Sequence, residues 1–143
     1  SELSATVIIS SKAAFVCDIK ARLKNLPWIT LVIDCQNIAE LMLNASIAIG
    51  ASGSTAWERC CLGLPSITLV SAANQLTIAN NLATEQAIIN LGWHMDISPD
   101  MLSNTINDLL QDKNKYNFMV KQCLSSCDGL GVERVINEVF SNA

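Results

Sequence analysis

The chain has 143 residues, of which 50% are hydrophobic and only 15% are charged, and its formal net charge is −4. This apolar content excludes intrinsic disorder, yet no apolar run approaches the roughly 18 residues that a membrane-spanning helix needs. The nine Lys and Arg residues are scattered along the chain, so a nucleic acid is not an expected partner. The length fits one domain with its own core, and we predict a single domain over residues 1–143.

Short β-branched or apolar runs alternate along the chain with longer segments of helical periodicity. The runs predict strands over residues 6–9, 28–33, 47–49, 65–70 and 87–89. Helices are predicted over residues 13–25, 37–44, from Ser54 or Thr55 to 62, and over 75–84, 99–111, 115–123 and 132–140. This alternation is typical of βαβ units and predicts an α/β fold, a Rossmann-like open parallel sheet flanked by helices. Such sheets bind ligands at the carboxyl ends of their strands.

The six cysteines indicate free, buried thiols. Cys60 and Cys61 are adjacent on one predicted helix, and a domain of this size needs no disulfides. The first ten residues lack a basic region and a cleavage site, so no signal peptide is expected and we predict a cytoplasmic protein. The single histidine, His94, has no pair of cysteines near it in the sequence, so we expect neither a metal site nor a cofactor.

The segment from Gly50 to Glu58 carries the clearest chemical pattern in the chain. It leaves a predicted strand, turns on two glycines and enters a helix, where free amides and the helix dipole favour an anion. Ser52, Ser54 and Thr55 add hydroxyl groups. This is a phosphate-binding pattern without lysine, and it matches neither the P-loop nor the G-x-G-x-x-G motif. The alternative interpretation is an ordinary Gly-Ser turn before a capped helix.

Glu58 has two possible roles that the sequence leaves open. A carboxylate one turn into this helix can accept two hydrogen bonds from the vicinal diol of a ribose. It can equally be the partner of Thr55 in a Thr-x-x-Glu capping box. Trp57, its neighbour, is expected to pack in the core rather than to stack on a base.

The residues from Asn37 to Trp93 resemble the C-terminal domain of the UDP-sugar hydrolase family of the pseudaminic acid pathway. These enzymes release UDP from UDP-2,4-diacetamido-2,4,6-trideoxy-β-L-altropyranose. The wider group is similar to the lipid II N-acetylglucosaminyltransferase and to other UDP-sugar enzymes of the GT-B fold. The resemblance is carried by the run Ile49-Gly-Ala-Ser-Gly-Ser-Thr-Ala-Trp-Glu-Arg-Cys-Cys-Leu-Gly-Leu-Pro65, and by Ile38–Met42, Asn74–Gln75, Ile88–Trp93 and Asp128–Arg134.

The resemblance implies a binding site for UDP and a UDP-sugar. It places the diphosphate on Ser52, Gly53, Ser54 and Thr55, the ribose on Glu58, and the uracil on backbone groups of Asp34 and Cys35. Asn74 and Gln75 would face the sugar or the diphosphate. The catalytic histidine of that family lies in a glycine-rich loop of an N-terminal domain to which nothing in this chain is similar. We therefore expect no catalytic residue here and predict the C-terminal half of a longer enzyme, whose N-terminal domain is its partner.

Two other functions remain open from the sequence. The chain could be the donor-binding domain of a GT-B glycosyltransferase, which shares the UDP site with the hydrolase and differs from it in the N-terminal half. It could also be a non-catalytic interaction domain, for which the apolar excess would mark a partner surface. That last function predicts no nucleotide binding.

Overall fold

The computed structural model describes residues 3–141 and places five strands and seven helices within them. Short 3-10 turns occur at Ala73–Gln75 and His94–Asp96. The chain divides into two compact units, residues 1–38 and 39–143. In chain order the elements are β1 Ala5–Ile9, α1 Val16–Leu23, β2 Ile29–Ile33, α2 Ile38–Leu43, β3 Ala48–Ala51, α3 Thr55–Cys61, β4 Ser66–Val70, α4 Leu76–Thr84, β5 Ile88–Trp93, α5 Pro99–Gln111, α6 Lys113–Ser126 and α7 Gly131–Ser141.

In the first unit, β1 and β2 pair in parallel, with Ala5 opposite Ile29 and Ile9 opposite Ile33. The residues of β1 alternate between partly buried and exposed, and Ile8 is 39% exposed. No residue from 3 to 38 is fully buried. The β-branched composition of this strand suits such a half-buried position.

The second unit holds a parallel sheet in the order β3-β4-β5. The central strand, β4, is buried along almost its whole length, because it has a neighbour on each edge and helices on the faces. The two hydroxyl groups of β4 both have hydrogen-bond acceptors. The Ser66 hydroxyl donates to the carbonyl of Leu64, and the Thr68 hydroxyl donates to the carbonyl of Ile89 on β5. The predicted α/β class with parallel strands and flanking helices is confirmed.

Two clusters of buried apolar side chains stabilise the second unit. Ile88 and Ile89 are consecutive residues of β5 and pack in different clusters, so the clusters lie on opposite faces of the sheet. One cluster contains Ala56, Cys60, Leu82, Ala87, Ile88 and Cys123, and the other is built on Ile67, Leu109 and Met119. Among the described helices, none is long and apolar enough to cross a membrane.

All six cysteines are free, but the expectation that they are buried is wrong for most of them. Cys60 and Cys123 are fully buried, whereas Cys17 is exposed. Cys17 lies on α1, a helix that contributes no buried residue.

Candidate functional site

The loop between β3 and α3 is fixed at both ends by backbone hydrogen bonds. The amide of Ser52 donates to the carbonyl of Leu69 on the neighbouring strand, over 3.0 Å. Immediately afterwards the carbonyl of Gly53 accepts from the amide of Ala56 at 2.9 Å, which closes the first turn of the helix. The loop is therefore a rigid connection at the carboxyl end of β3.

Three consecutive amides in this loop have no acceptor. The N–H groups of Gly53, Ser54 and Thr55 donate to no residue between 3 and 141. Unpaired amides at the start of a helix carry partial positive charge and favour an anionic partner. The loop thus has the donors that the sequence pattern predicted.

The start of α3 bears on one of the two roles proposed for Glu58, the capping box with Thr55. Ser54 is the N-cap residue and makes no side-chain capping hydrogen bond. A capping box needs its acid three residues after the N-cap, a position that Trp57 occupies. The Thr55–Glu58 capping box is therefore not formed, and the Glu58 carboxylate makes no hydrogen bond or ion pair with residues 3–141.

Glu58 lines a cavity of about 720 Å³ in the second unit. Trp57 also lies on its wall and is 36% exposed, so the expectation that it packs in the core is wrong. The helix directs Ala56 and Cys60 inward, and Trp57 lies on another face. The remaining wall is mostly apolar and includes Ala39, Met42, Cys61, Leu62, Gly129 and Val132.

The turn after β4 brings a second polar group to the same loop. Oε1 of Gln75 accepts from the amide of Ser71 at 2.9 Å and from its hydroxyl at 3.1 Å. These bonds fix the orientation of the side-chain amide of Gln75. Its Nε2 lies 4.0 Å from the point where a Cβ atom would be if Gly53 carried a side chain. Asn74, in the same 3-10 turn, is exposed.

Arg59, for which the sequence pattern predicted no role, lies beneath the loop. It is only 4% exposed, and its Nη2 donates to the carbonyl of Ala51 at 2.7 Å. A Cβ atom on Gly50 would lie 2.9 Å from its Nη1, so glycine leaves the space that the guanidinium occupies. The available signal was helical spacing, since Arg59 shares a helix face with the buried Ala56 and Cys60.

Asp34 and Cys35 belong to the first unit. Asp34 has a φ of 50° and its Oδ1 accepts from the amide of Ser11 at 2.8 Å. Hydrogen bonds from Ser11 hold the pKa of this carboxyl below its ordinary value. Its backbone is also engaged, because its amide donates to Ile9 and its carbonyl accepts from Gln36. Cys35 makes no backbone hydrogen bond within the described part of the chain.

The lone histidine takes no part in these loops. His94 begins a 3-10 turn after β5 and is exposed. Within residues 3–141 no group of three or more His, Cys, Asp or Glu side chains is arranged to hold a metal ion.

The parallel sheet with flanking helices is the architecture of GT-B enzymes, and solved structures of low sequence identity share it. The crystal structure of the glycotransferase of kitacinnamycin matches with a TM-score of 0.61 at 14% identity, over 96% of this chain and 43% of that one. A Listeria monocytogenes protein described as a UDP-N-acetylglucosamine 2-epimerase matches with a TM-score of 0.59 at 12% identity, over 99% of this chain and 46% of that one.

The chain belongs to the glycosyltransferase family 28 C-terminal domain family, which matches residues 9–134. Spore coat polysaccharide biosynthesis protein SpsG of Bacillus subtilis (strain 168) is 28% identical over 117 residues, which are 82% of this chain and 34% of that protein. The chain therefore spans about a third of this curated relative and less than half of the two solved structures.

Proposed function

We propose that the chain is the UDP-sugar-binding domain of a two-domain enzyme, with the diphosphate held by Ser52, Gly53, Ser54 and Thr55. The observation that carries this proposal is the run of three amides without acceptors within the described residues. They lie next to the Ser52 hydroxyl, which is buried and has no partner there either. A diphosphate would accept from all of these donors, in charge-assisted hydrogen bonds that are stronger than neutral ones.

Glu58 is proposed to bind the ribose. Its carboxylate is engaged neither in a capping box nor in an ion pair within residues 3–141. It can therefore accept two hydrogen bonds from a vicinal diol. It also lies on the wall of the 720 Å³ cavity, a volume in the range of small-molecule sites, and it is the one proposed UDP contact among the residues that line this cavity.

Gln75 is proposed to donate from Nε2 to the diphosphate or the sugar, since its oxygen is already held by Ser71. Asn74 is exposed beside it and is proposed to face the sugar. Asp34 and Cys35 are proposed to recognise the uracil through backbone groups. Of the two, Cys35 has the backbone groups available for this, because its amide and carbonyl make no hydrogen bond within the described chain.

Two reactions of the whole protein would use this donor site. Membership of glycosyltransferase family 28 favours transfer of a sugar from its UDP donor to an acceptor. Hydrolysis of UDP-2,4-diacetamido-2,4,6-trideoxy-β-L-altropyranose is the second candidate, and the likeness of the Ile49–Pro65 run to the pseudaminic acid hydrolases favours it. In both reactions UDP departs, and the loop amides would stabilise the charge that develops on the diphosphate.

The activation of water or acceptor is proposed to come from an N-terminal domain outside this chain, because no residue of the loop is a general base. We also place the protein in the cytoplasm. Its six free cysteines fit a reducing compartment.

Calorimetric titration of the chain with UDP, UMP and ADP tests the proposal. UDP should bind more tightly than UMP, because the second phosphate adds charge-assisted hydrogen bonds. It should also bind more tightly than ADP, because separate backbone groups are proposed to recognise the uracil. Ser54→Ala, which removes a hydroxyl from the loop, should weaken UDP binding, whereas Ser103→Ala, on the exposed face of α5, should leave it unchanged. Equal affinities for UDP and UMP would overturn the diphosphate site. No binding of any nucleotide would favour an interaction domain instead.

A further inference from the structure

Arg59 carries a buried positive charge directly beneath the proposed diphosphate loop. The side chain is 4% exposed and lies on the face of α3 that enters the core. Its guanidinium reaches the last residues of β3, where Nη2 bonds the carbonyl of Ala51 at 2.7 Å. Nη1 fills the space that a side chain on residue 50 would take, since a Cβ on Gly50 would approach it to 2.9 Å.

Arg59 forms no ion pair with residues 3–141, and its Nε has no acceptor there. The carboxylate of its neighbour Glu58 is the anion that acts on this charge, without a direct contact. Burial lowers the pKa of Arg59, because a site that excludes water disfavours the charged form. An arginine nevertheless stays protonated in proteins. Buried charges in folded proteins are normally paired directly, and Arg59 makes no such ion pair within the described residues.

A second unpartnered group lies in the same loop. The hydroxyl of Ser52 is fully buried and makes no hydrogen bond within the described chain. Ser52 Oγ and Arg59 Nε are the two buried side-chain atoms without partners in that part of the protein. Buried polar atoms are seldom left unsatisfied. Two such atoms occur close to one strand-to-helix loop, which indicates that a bound ligand supplies the missing hydrogen-bond partners.

We propose that Arg59 is a positioning residue that sets the charge preference of the loop, so that a diphosphate binds in preference to a monophosphate or an uncharged nucleoside. This inference rests on the proposed UDP site. Arg59 would act through the loop backbone. Its hydrogen bond holds the Ala51 carbonyl and offsets the partial negative charge of that oxygen. No direct ion pair within the described residues neutralises the guanidinium, so its charge can act on an anion bound at the loop. In a poorly hydrated site such a charge acts over several ångströms with little screening.

Titrations of uridine, UMP and UDP into the wild-type chain and two variants test this role. Arg59→Met keeps most of the side-chain volume and removes the charge, whereas Arg59→Lys keeps the charge and loses the planar fork. The wild type should prefer UDP over uridine. Arg59→Met should reduce that preference by about tenfold or more, with little change for uridine, whereas Arg59→Lys should retain most of it. Arg22→Met, which removes an exposed arginine of α1, is the matched control and should change neither affinity.

The outcomes separate this inference from the proposed function. If folded Arg59→Met keeps the wild-type preference for UDP, Arg59 only supports the loop and the inference is wrong, while the UDP site stands. If the wild type binds UDP no better than uridine, the diphosphate site is wrong and the inference falls with it. Should Arg59→Met fail to fold, Arg59→Gln replaces it, since its amide can still donate to the Ala51 carbonyl while the charge is removed. An unchanged preference for UDP in Arg59→Gln would then overturn the inference.

Discussion

The side-chain amide of Gln75 and the backbone of Gly53 are neighbours at the carboxyl end of the β3–β4 pair. Nε2 of Gln75 lies 4.0 Å from the position that a Cβ on Gly53 would take, and Ser71 fixes the orientation of the amide. The two residues are 22 positions apart in the chain. They meet because β3 and β4 are adjacent and parallel, so that the loops after them leave the sheet at the same edge.

Replacing Gln75 with Glu should weaken UDP binding more than replacing it with Ala. The Ala variant loses one donor, whereas the Glu variant also places a negative charge beside the proposed diphosphate. The difference should shrink as salt is added, because screening weakens the repulsion. Calorimetric titrations at two salt concentrations measure this effect. Gln111→Glu, at the exposed end of α5, is the control for the change in net charge. Equal losses in the two Gln75 variants would place its side chain away from the phosphates.

Ser52→Ala should separate stability from binding. The hydroxyl is buried without a partner within the described chain, and an unsatisfied buried group costs about 1–3 kcal/mol. Its removal should therefore leave the unfolding free energy of the ligand-free chain unchanged or raised. UDP affinity should fall by about tenfold to a hundredfold, since a hydrogen bond to a charged group contributes about 1.5–3 kcal/mol. Chemical denaturation and titration measure the two quantities, with Ser103→Ala as the control. A clear loss of stability without ligand would mean that the hydroxyl has a structural partner.

The strands and the fold class could be predicted from the sequence because they depend on local composition. The run from Pro65 to Val70 is almost continuously apolar or β-branched, and it became the buried central strand. The loop after Ile49 was identified by its glycines and hydroxyl residues, which the close approach of a ligand requires. These features are encoded within ten residues of chain, so no knowledge of the neighbouring elements was needed.

The rest of the site depends on contacts between distant segments. Arg59 was overlooked because an arginine is expected at the surface, and its burial depends on the space that Gly50 leaves beneath the loop. Trp57 was expected in the core because it is large and aromatic, but the orientation of α3 places it on the cavity wall. The proximity of Gln75 to Gly53 follows from the order of the strands, and a strand order is not local information.

The thiols should differ sharply in reactivity. Cys17 is exposed and should react first with a thiol reagent in the native chain. Cys60 and Cys123 are fully buried, so both should react only after unfolding. The hydrogen bond with Cys123, together with burial, also raises the pKa of the Cys60 thiol. All six thiols should be recovered in denaturant without reductant. Cys17→Ser should remove the fast phase. Recovery of only two or four thiols would contradict the assignment to a reducing compartment.

Glu58→Gln should weaken UDP binding and leave the fold intact. A carboxylate accepts two hydrogen bonds from the ribose diol, whereas an amide offers one acceptor and one donor group. The expected loss is about 1.5–3 kcal/mol, the range for a hydrogen bond to a charged group. Stability should barely change, because Glu58 takes part in no capping box or ion pair within residues 3–141.

A cycle with 2′,3′-dideoxy-UDP isolates the ribose contact from every other effect of Glu58→Gln. If Glu58 holds the diol, the wild type should prefer UDP over the dideoxy analogue and the variant should lose most of that preference. Both proteins should bind the analogue about equally, because the diphosphate and base contacts are untouched. Glu133→Gln, on the exposed surface of α7, removes the same charge away from the loop and serves as the control. A preference that survives in Glu58→Gln would mean that another residue recognises the ribose, and that Glu58 affects UDP only through its charge.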